Sequence, residues 1–69
     1  MTLRYQIFTG PMEEDWLVAE IYMDNQPFAD LLEWGEKLVI FSRADGEDWN
    51  IPTADLLDII SKARERVQK

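Results

Sequence analysis

Hydrophobic and polar residues alternate along the first half of the chain with the two-residue period of a β-strand. The alternation predicts a first strand over residues 2–9 and a second over residues 16–23, with a charged connection between them. A third apolar run covers residues 28–32, and Pro27 is tolerated at the start of such a strand. We therefore expect several short strands joined by turns.

The two residues at 34–35, Trp-Gly, predict the register of the following hairpin. As a two-residue turn they would pair Leu31 with Leu38 and Ala29 with Ile40, and all four side chains would share one face. The same face of the second strand is also apolar. This agreement between neighbouring strands predicts a sheet with one well-defined core face.

The connection between the second and third strands must have an odd length to keep that face apolar, and residues 24–26 are the simplest choice. In this register Tyr22 lies opposite Phe28, and Glu20 lies opposite Asp30. All four side chains would then occupy the second face of the sheet. We expect an aromatic surface crossed by two directly opposed carboxylates.

The last part of the chain predicts a helix. The fourth strand should end near Arg43, and Thr53 is the best N-cap residue, so the helix would run from Ala54 onward. Apolar residues recur from there at helical spacing and form one stripe. The stripe contains Leu56, Ile59, Ile60, Ala63 and Val67, with Leu57 at its edge.

These elements predict an α+β fold, a four-stranded antiparallel meander followed by one C-terminal helix packed on one face, in a single domain over residues 1–69. The helix would cover Leu17, Ala19, Ile21, Leu31, Leu38 and Ile40. It cannot also cover the second face, which antiparallel sheets normally make polar. The apolar residues expected on that uncovered face are Phe8, Trp16, Val18, Tyr22, Phe28, Leu32, Val39 and Phe41.

Charge restricts the choice of partner. The chain has 14 acidic and seven basic residues, a net charge of −7, and residues 1–61 alone carry −10. Such a body repels nucleic acid and anionic membranes and attracts basic proteins. Acidity that serves only solubility is the alternative interpretation.

The composition also argues against catalysis and metal binding. The chain has neither histidine nor cysteine, which removes the commonest general base and the strongest zinc ligands. Residues 45–48, Asp-Gly-Glu-Asp, lack the ligand spacing of a calcium loop. We therefore expect no enzyme activity, no cofactor and no metal site.

We also expect a cytoplasmic protein without a membrane partner. No apolar run approaches the roughly 20 residues that span a bilayer. The N-terminus lacks the charged-then-apolar pattern of a signal peptide.

The meander topology predicts an acidic pole. Acidic residues at the helix start and in the turns around residues 24 and 45 should gather at one end of the sheet, with Arg43 the only nearby base. At the other end, the acidic residues at 13–15, 33 and 36 should be partly neutralised by the bases late in the helix, Lys62, Arg64, Arg66 and Lys69. Carboxylates on neighbouring strands lie about 5–7 Å apart, similar to phosphates along a nucleic-acid strand. The predicted partner-binding residues are Trp16, Glu20, Tyr22, Asp24, Phe28, Asp30, Asp45, Glu47 and Asp48.

Several short motifs carry a family resemblance over residues 16–67. They are residues 19–22 (Ala-Glu-Ile-Tyr), 45–46 (Asp-Gly), Trp49, and a helix running from Asp-Leu-Leu to Lys-Ala-Arg-Glu-Arg at 62–66. Together they resemble a group of short acidic bacterial proteins, built of strands followed by one helix, that includes an anti-CRISPR inhibitor of type I-C surveillance complexes. The resemblance implies a host–virus interaction in which the protein imitates duplex DNA and blocks recognition of the target's flanking motif.

The shared motifs are mainly structural, so no functional residue is carried over from that group. Pro52 stands where the group would have a polar or acidic residue at the helix start.

The leading hypothesis is a non-enzymatic inhibitor that presents carboxylates as phosphate surrogates to a basic nucleic-acid-binding protein. A CRISPR effector subunit is the partner that the resemblance implies. An immunity or antitoxin-type protein that neutralises a basic toxin is the first alternative, and a structural homodimer without an inhibitory role is the second. Both a monomer and a homodimer are compatible with the sequence.

Overall fold

A computed structural model of the chain describes residues 2–9 and 17–68. The strands β1 (Leu3–Thr9), β2 (Leu17–Met23), β3 (Gln26–Leu32) and β4 (Lys37–Ile40) precede the helix α1 (Thr53–Val67). The strands form one antiparallel sheet in the order β1-β2-β3-β4, with α1 packed on one side. The predicted α+β meander is thereby confirmed. We call the side under α1 the inner face and the opposite side the outer face.

The β3–β4 hairpin has the predicted register. The turn itself is longer than predicted: a 3₁₀ segment, Glu33–Gly35, follows β3, and its three residues have positive φ angles of 51°, 60° and 89°. Leu31 pairs with Leu38, and the second expected pair, Ala29 with Ile40, is also formed. The predicted register is therefore confirmed, but the strands stop pairing at Leu32 with Lys37, so the turn spans residues 33–36 rather than Trp34 and Gly35 alone.

The β2–β3 hairpin differs from the prediction near its tip. The turn contains only residues 24–25, both with positive φ, and β3 begins before the expected residue. Tyr22 consequently pairs with Pro27 rather than with Phe28. Phe28 is the extra residue of a β-bulge, because the register shifts between Ile21 and Tyr22.

The bulge turns Phe28 away from the outer face. Its side chain is 2% exposed and belongs to a core cluster with Ile21 and Met23. The Trp49 ring meets it edge to face, with centroids 5.0 Å apart. The expectation that Phe28 lies on an uncovered surface was therefore wrong, and burial of two aromatic rings against the core is the physical reason.

The helix contributes its predicted stripe to the core. Ile59, Ala63 and Val67, one turn apart, are buried against inner-face residues that include Ala19 and Leu31. Full burial of one such aliphatic side chain contributes roughly 1.5–3 kcal/mol. The contact between this stripe and the inner face is what joins helix to sheet.

The helix begins one residue earlier than predicted. Its N-cap is Pro52, whose carbonyl accepts a hydrogen bond from the Leu56 N–H at 3.1 Å, and Thr53 is already helical. The restricted φ of proline suits the entry to a helix, although proline offers no side-chain cap. Within residues 2–9 and 17–68, no helix is long and apolar enough to cross a membrane.

The helix does not lie over the centre of the sheet. It packs on β1, β2 and β3, and no part of it, throughout residues 53–67, closely approaches the backbone of β4. Ile40, expected to be covered by the helix, is therefore 54% exposed. The regular strand also ends at Ile40 rather than near Arg43, although the Phe41 N–H still donates to the Phe28 carbonyl at 2.8 Å.

Candidate functional site

A row of polar side chains crosses the middle of the outer face. Gln6 on β1 lies opposite Glu20 on β2, and Glu20 lies opposite Asp30 on β3. The predicted carboxylate pair is therefore formed, beyond the bulge. On β4 the row ends at Val39. Like charges placed directly opposite each other on adjacent strands destabilise a sheet.

Glu20 is part of a small polar network on this face. The Tyr22 hydroxyl donates a hydrogen bond to Glu20 Oε1, and the Arg4 guanidinium lies 4.2 Å from the centre of the Tyr22 ring. The bond to Glu20, together with partial burial, raises the pKa of the Tyr22 hydroxyl above its usual range. Tyr22 therefore holds one side of the carboxylate pair in a defined position.

Asp30 has no such support. Its Oδ1 atom is buried, and no residue of the described chain donates a hydrogen bond to it. Burial raises the pKa of the Asp30 carboxyl, and the neighbouring charge of Glu20 raises it further. The half-buried Asp30 is thus a carboxyl group that forms no ion pair with any described residue.

Apolar side chains flank the row. Phe8 is 44% exposed, and Val18, Leu32 and Val39 are half-buried. Trp16, which was also expected here, lies outside the described residues. The outer face therefore combines an apolar surface with a central acidic pair.

A second group of acids lies at one end of the sheet. The antiparallel order places the start of β3 beside the end of β4, so the turn at 24–25 and the loop at 43–48 are at the same end. The helix also starts at this end, because Asp55 in its first turn lines the same depression, of about 330 Å³, as Thr2 just before β1. We call this region the acidic end. It contains Asp24, Asp45, Glu47, Asp48, Asp55 and Asp58.

Arg43 organises the loop of the acidic end. Its guanidinium donates to both oxygens of Asp45, at 3.0 and 2.8 Å, and to the Asp48 carbonyl at 3.4 Å. It also lies 5.3 Å from the centre of the Trp49 ring. The Glu47 N–H donates to Asp45 Oδ1 at 3.0 Å, which closes the turn.

These contacts divide the loop carboxylates into two kinds. The Arg43 guanidinium lowers the pKa of the Asp45 carboxyl, and the Glu47 N–H lowers it further. The Asp45 carboxylate therefore accepts its hydrogen bonds from within the loop. The carboxylates of Glu47 and Asp48 are exposed, and neither forms an ion pair with any described residue. They stand beside a depression of about 460 Å³ with Trp49 in its wall.

Two further acids of the acidic end have partners. Asp24 Oδ1 accepts a hydrogen bond from the Thr2 N–H at 2.7 Å. Asp58 pairs with Lys62 one helical turn away, at 2.9 Å, and this pairing raises the pKa of Lys62. The expectation that Arg43 is the only base near this end was therefore wrong.

At the opposite end of the sheet, one ion pair provides part of the expected neutralisation of acidic residues. Arg64 near the end of α1 reaches Glu36 beside the β3–β4 turn, at 3.2 Å. The acids at residues 13–15 that were expected to share this neutralisation lie outside the described residues.

The structure thus separates the predicted site residues into two surfaces. Glu20, Tyr22 and Asp30 lie together on the outer face, whereas Asp24, Asp45, Glu47 and Asp48 lie at the acidic end. About 13 Å of strand separates Glu20 from the turn at residues 24–25, at the usual rise of an extended chain. Neither group forms a metal site, since no three acidic residues in the described chain converge closely enough to hold an ion.

Sequence reasoning did not predict the contacts that three basic residues make in these surfaces. Arg4 could have been found from the β1–β2 register, which places it opposite Tyr22. The pair of Asp58 and Lys62 has the i,i+4 spacing of a helical ion pair. The role of Arg43 had no such signal, because it depends on how the loop after β4 folds back.

Comparison with protein-family models, with curated proteins and with solved structures finds no match for this chain.

Proposed function

We propose that the protein is a non-enzymatic inhibitor whose carboxylates take the place of nucleic-acid phosphates in a basic binding site of a partner protein. The observation that carries the proposal is the loop at 43–48. Arg43 binds Asp45 and a backbone carbonyl, and the exposed carboxylates of Glu47 and Asp48 form no ion pair with any described residue.

The hydrogen bonds within the loop favour binding in a second way. A segment that is already ordered loses less conformational entropy when a partner binds it. Adjacent carboxylates on such a loop offer lysine and arginine side chains charge-assisted hydrogen bonds of the kind that phosphates offer. The net charge of −7 would steer a basic partner towards the molecule.

The outer face offers a second contact of the same chemistry. The Glu20–Asp30 pair is destabilising while it is alone, and an arginine or lysine from the partner would relieve that repulsion. We therefore propose a partner with a basic surface that normally holds nucleic acid. A CRISPR effector subunit is the instance suggested by the family resemblance.

The test compares two double variants that change the net charge equally. Glu47→Lys with Asp48→Lys alters the acidic end, and the control, Glu33→Lys with Glu65→Lys, alters exposed acids elsewhere. The partner is captured with the tagged wild-type chain from cells that carry a CRISPR system and, separately, from cells that carry toxin operons. Its affinity for each variant is then measured.

We expect the change at the acidic end to weaken binding at least about tenfold more than the control does, a difference of about 1.4 kcal/mol. A short DNA duplex should compete with the protein for the captured partner. Equal effects of the two double variants would contradict the choice of the acidic end. A partner that binds equally well in excess DNA would contradict phosphate mimicry and favour toxin neutralisation.

A further inference from the structure

An apolar strip lies uncovered along the inner side of β4. Ile40 on the strand is 54% exposed and Leu57 on the helix is 63% exposed, the most exposed of the large hydrophobic residues in the described chain. Leu57 lies on the same side of α1 as Ile60 and Arg64, and Arg64 reaches the β3–β4 turn. The strip therefore runs between β4 and the flank of the helix that faces it.

The backbone beside this strip is also free. β4 is the last strand of the sheet order, so one of its edges pairs with no other described strand. The Phe41 N–H points towards β3. Because the direction alternates along a strand, the N–H and carbonyl groups of Leu38 and Ile40 point towards the free edge. An open edge next to exposed apolar side chains favours the addition of another strand.

The charges around the strip favour a second copy of the same chain. Glu36 and Arg64 neutralise each other at one end of it. The Glu20–Asp30 pair is on the outer face, and of the acidic end Glu47 and Asp48 border the strip, since they line the same depression as Ile40. Antiparallel pairing of two β4 strands would also place the two acidic ends at opposite ends of the assembly, which keeps the repulsion between two chains of charge −7 small.

We propose that the chain forms a two-fold symmetric dimer in which β4 pairs with β4 of the second copy and extends the sheet to eight strands. A two-fold axis perpendicular to the sheet keeps both inner faces on the same side. Pairing Val39 with Val39 satisfies this condition. Leu38 of each copy then lies opposite Ile40 of the other. The backbone N–H and carbonyl groups that point to the free edge are aligned for hydrogen bonds between the copies.

The dimer buries Ile40 and leaves the Glu20–Asp30 pair accessible, whereas Glu47 and Asp48 lie beside the new strand pair. The outer face stays uncovered in both copies, which distinguishes this dimer from one that buries the aromatic surface.

The test measures the mass of the chain in solution as its concentration is raised, by light scattering and by sedimentation equilibrium. The wild-type chain should approach twice its monomer mass. Ile40→Lys should raise the dimer dissociation constant at least about tenfold, since it puts a charge into a small apolar contact. Phe8→Lys is the matched control, because it replaces an exposed hydrophobic residue of the outer face.

A second variant tests the strand edge itself. Ile40→Pro removes an N–H that points to the free edge and leaves the bonds to β3 in place, so it should prevent dimerisation while the circular dichroism spectrum stays that of the folded chain. A wild-type chain that remains monomeric at millimolar concentration would overturn the proposal. Loss of the dimer in Phe8→Lys, with Ile40→Lys still dimeric, would overturn it in favour of the outer face.

Discussion

Asp30 and Asp45 are carboxyls of one small protein whose surroundings act in opposite directions. Asp30 lies half-buried opposite Glu20 and has an oxygen without a described partner, and burial raises its pKa. Asp45 accepts two hydrogen bonds from Arg43, which lower its pKa. Asp45 therefore favours the folded state when it is charged, whereas Asp30 opposes it.

The variant Asp30→Asn should be more stable than the wild type at neutral pH. It removes a charge that faces Glu20, and we expect the free energy of unfolding at pH 7 to rise by roughly 0.2–1 kcal/mol. A carboxyl whose pKa is raised by folding adds stability below its unfolded pKa of about 3.9, and that stability is lost as the pH rises through the folded pKa. The gain should therefore disappear in acid.

Urea denaturation at neutral pH and below the unfolded pKa measures this difference. Glu47→Gln, which removes an exposed charge with no cross-strand neighbour, is the control and should show no comparable gain. An Asp30→Asn gain of the same size at both pH values would show that repulsion between charges is not its cause. If the carboxylate serves binding, the more stable variant should also bind the partner less tightly.

The turn between β3 and β4 joins the sheet to the helix through a glycine. Gly35 is buried with a φ of 89°, and a Cβ atom there would lie 2.6 Å from the Arg64 Cγ. Two conditions therefore require glycine: a positive φ and the close approach of an arginine stem. Gly46 in the acidic loop also has a positive φ, 77°, but an added Cβ would meet nothing within 4 Å.

The two glycines form a matched pair for substitution by alanine. Gly46→Ala should cost about 1–2 kcal/mol, the strain of a left-handed backbone alone. Gly35→Ala should cost more, because Arg64 must also move away and its ion pair with Glu36 would be disturbed. Thermal unfolding of both variants provides the comparison. Equal losses would mean that the Arg64 contact contributes nothing.

Secondary structure could be predicted where the spacing of hydrophobic residues fitted only a helix or only a strand. The helix stripe and the β3–β4 register follow from local pattern, and both are confirmed, although the turn at residues 33–36 is longer than predicted. The bulge at Phe28 could not be found in this way, because it depends on a core position beside Trp49 that exists only in the folded molecule. The hydrogen bonds of the loop at 43–48 could not be predicted either, because they depend on how the chain folds back after β4.

At the scale of the whole molecule, the two proposed associations should respond to salt in opposite directions. Raising the ionic strength from about 0.1 M to about 1 M shortens the Debye length from about 10 Å to about 3 Å. Binding of a basic partner should weaken, because its attraction to the acidic end is screened. Dimerisation through β4 should strengthen, because the repulsion between two acidic chains is screened while the apolar contact remains.

Both dissociation constants can be measured on one preparation across a series of KCl concentrations. Fluorescence anisotropy of the labelled chain reports partner binding, and sedimentation equilibrium reports the dimer. Partner binding that does not change with salt would contradict an electrostatic mechanism. A dimer that weakens with salt would indicate that ion pairs, rather than the apolar contact of Leu38 with Ile40, hold the copies together.

The bulge in β3 has a consequence for how this protein could change over generations. The observed hairpin has a two-residue turn and one extra residue in β3, whereas a regular hairpin of the same length would have a three-residue turn. Both arrangements give the same strand pairing from Ile21 with Ala29 onward. An inserted or deleted residue at the hairpin tip can thus be absorbed by losing or gaining a bulge. Descendants could vary the tip that carries Asp24 while Glu20 and Asp30 stay face to face.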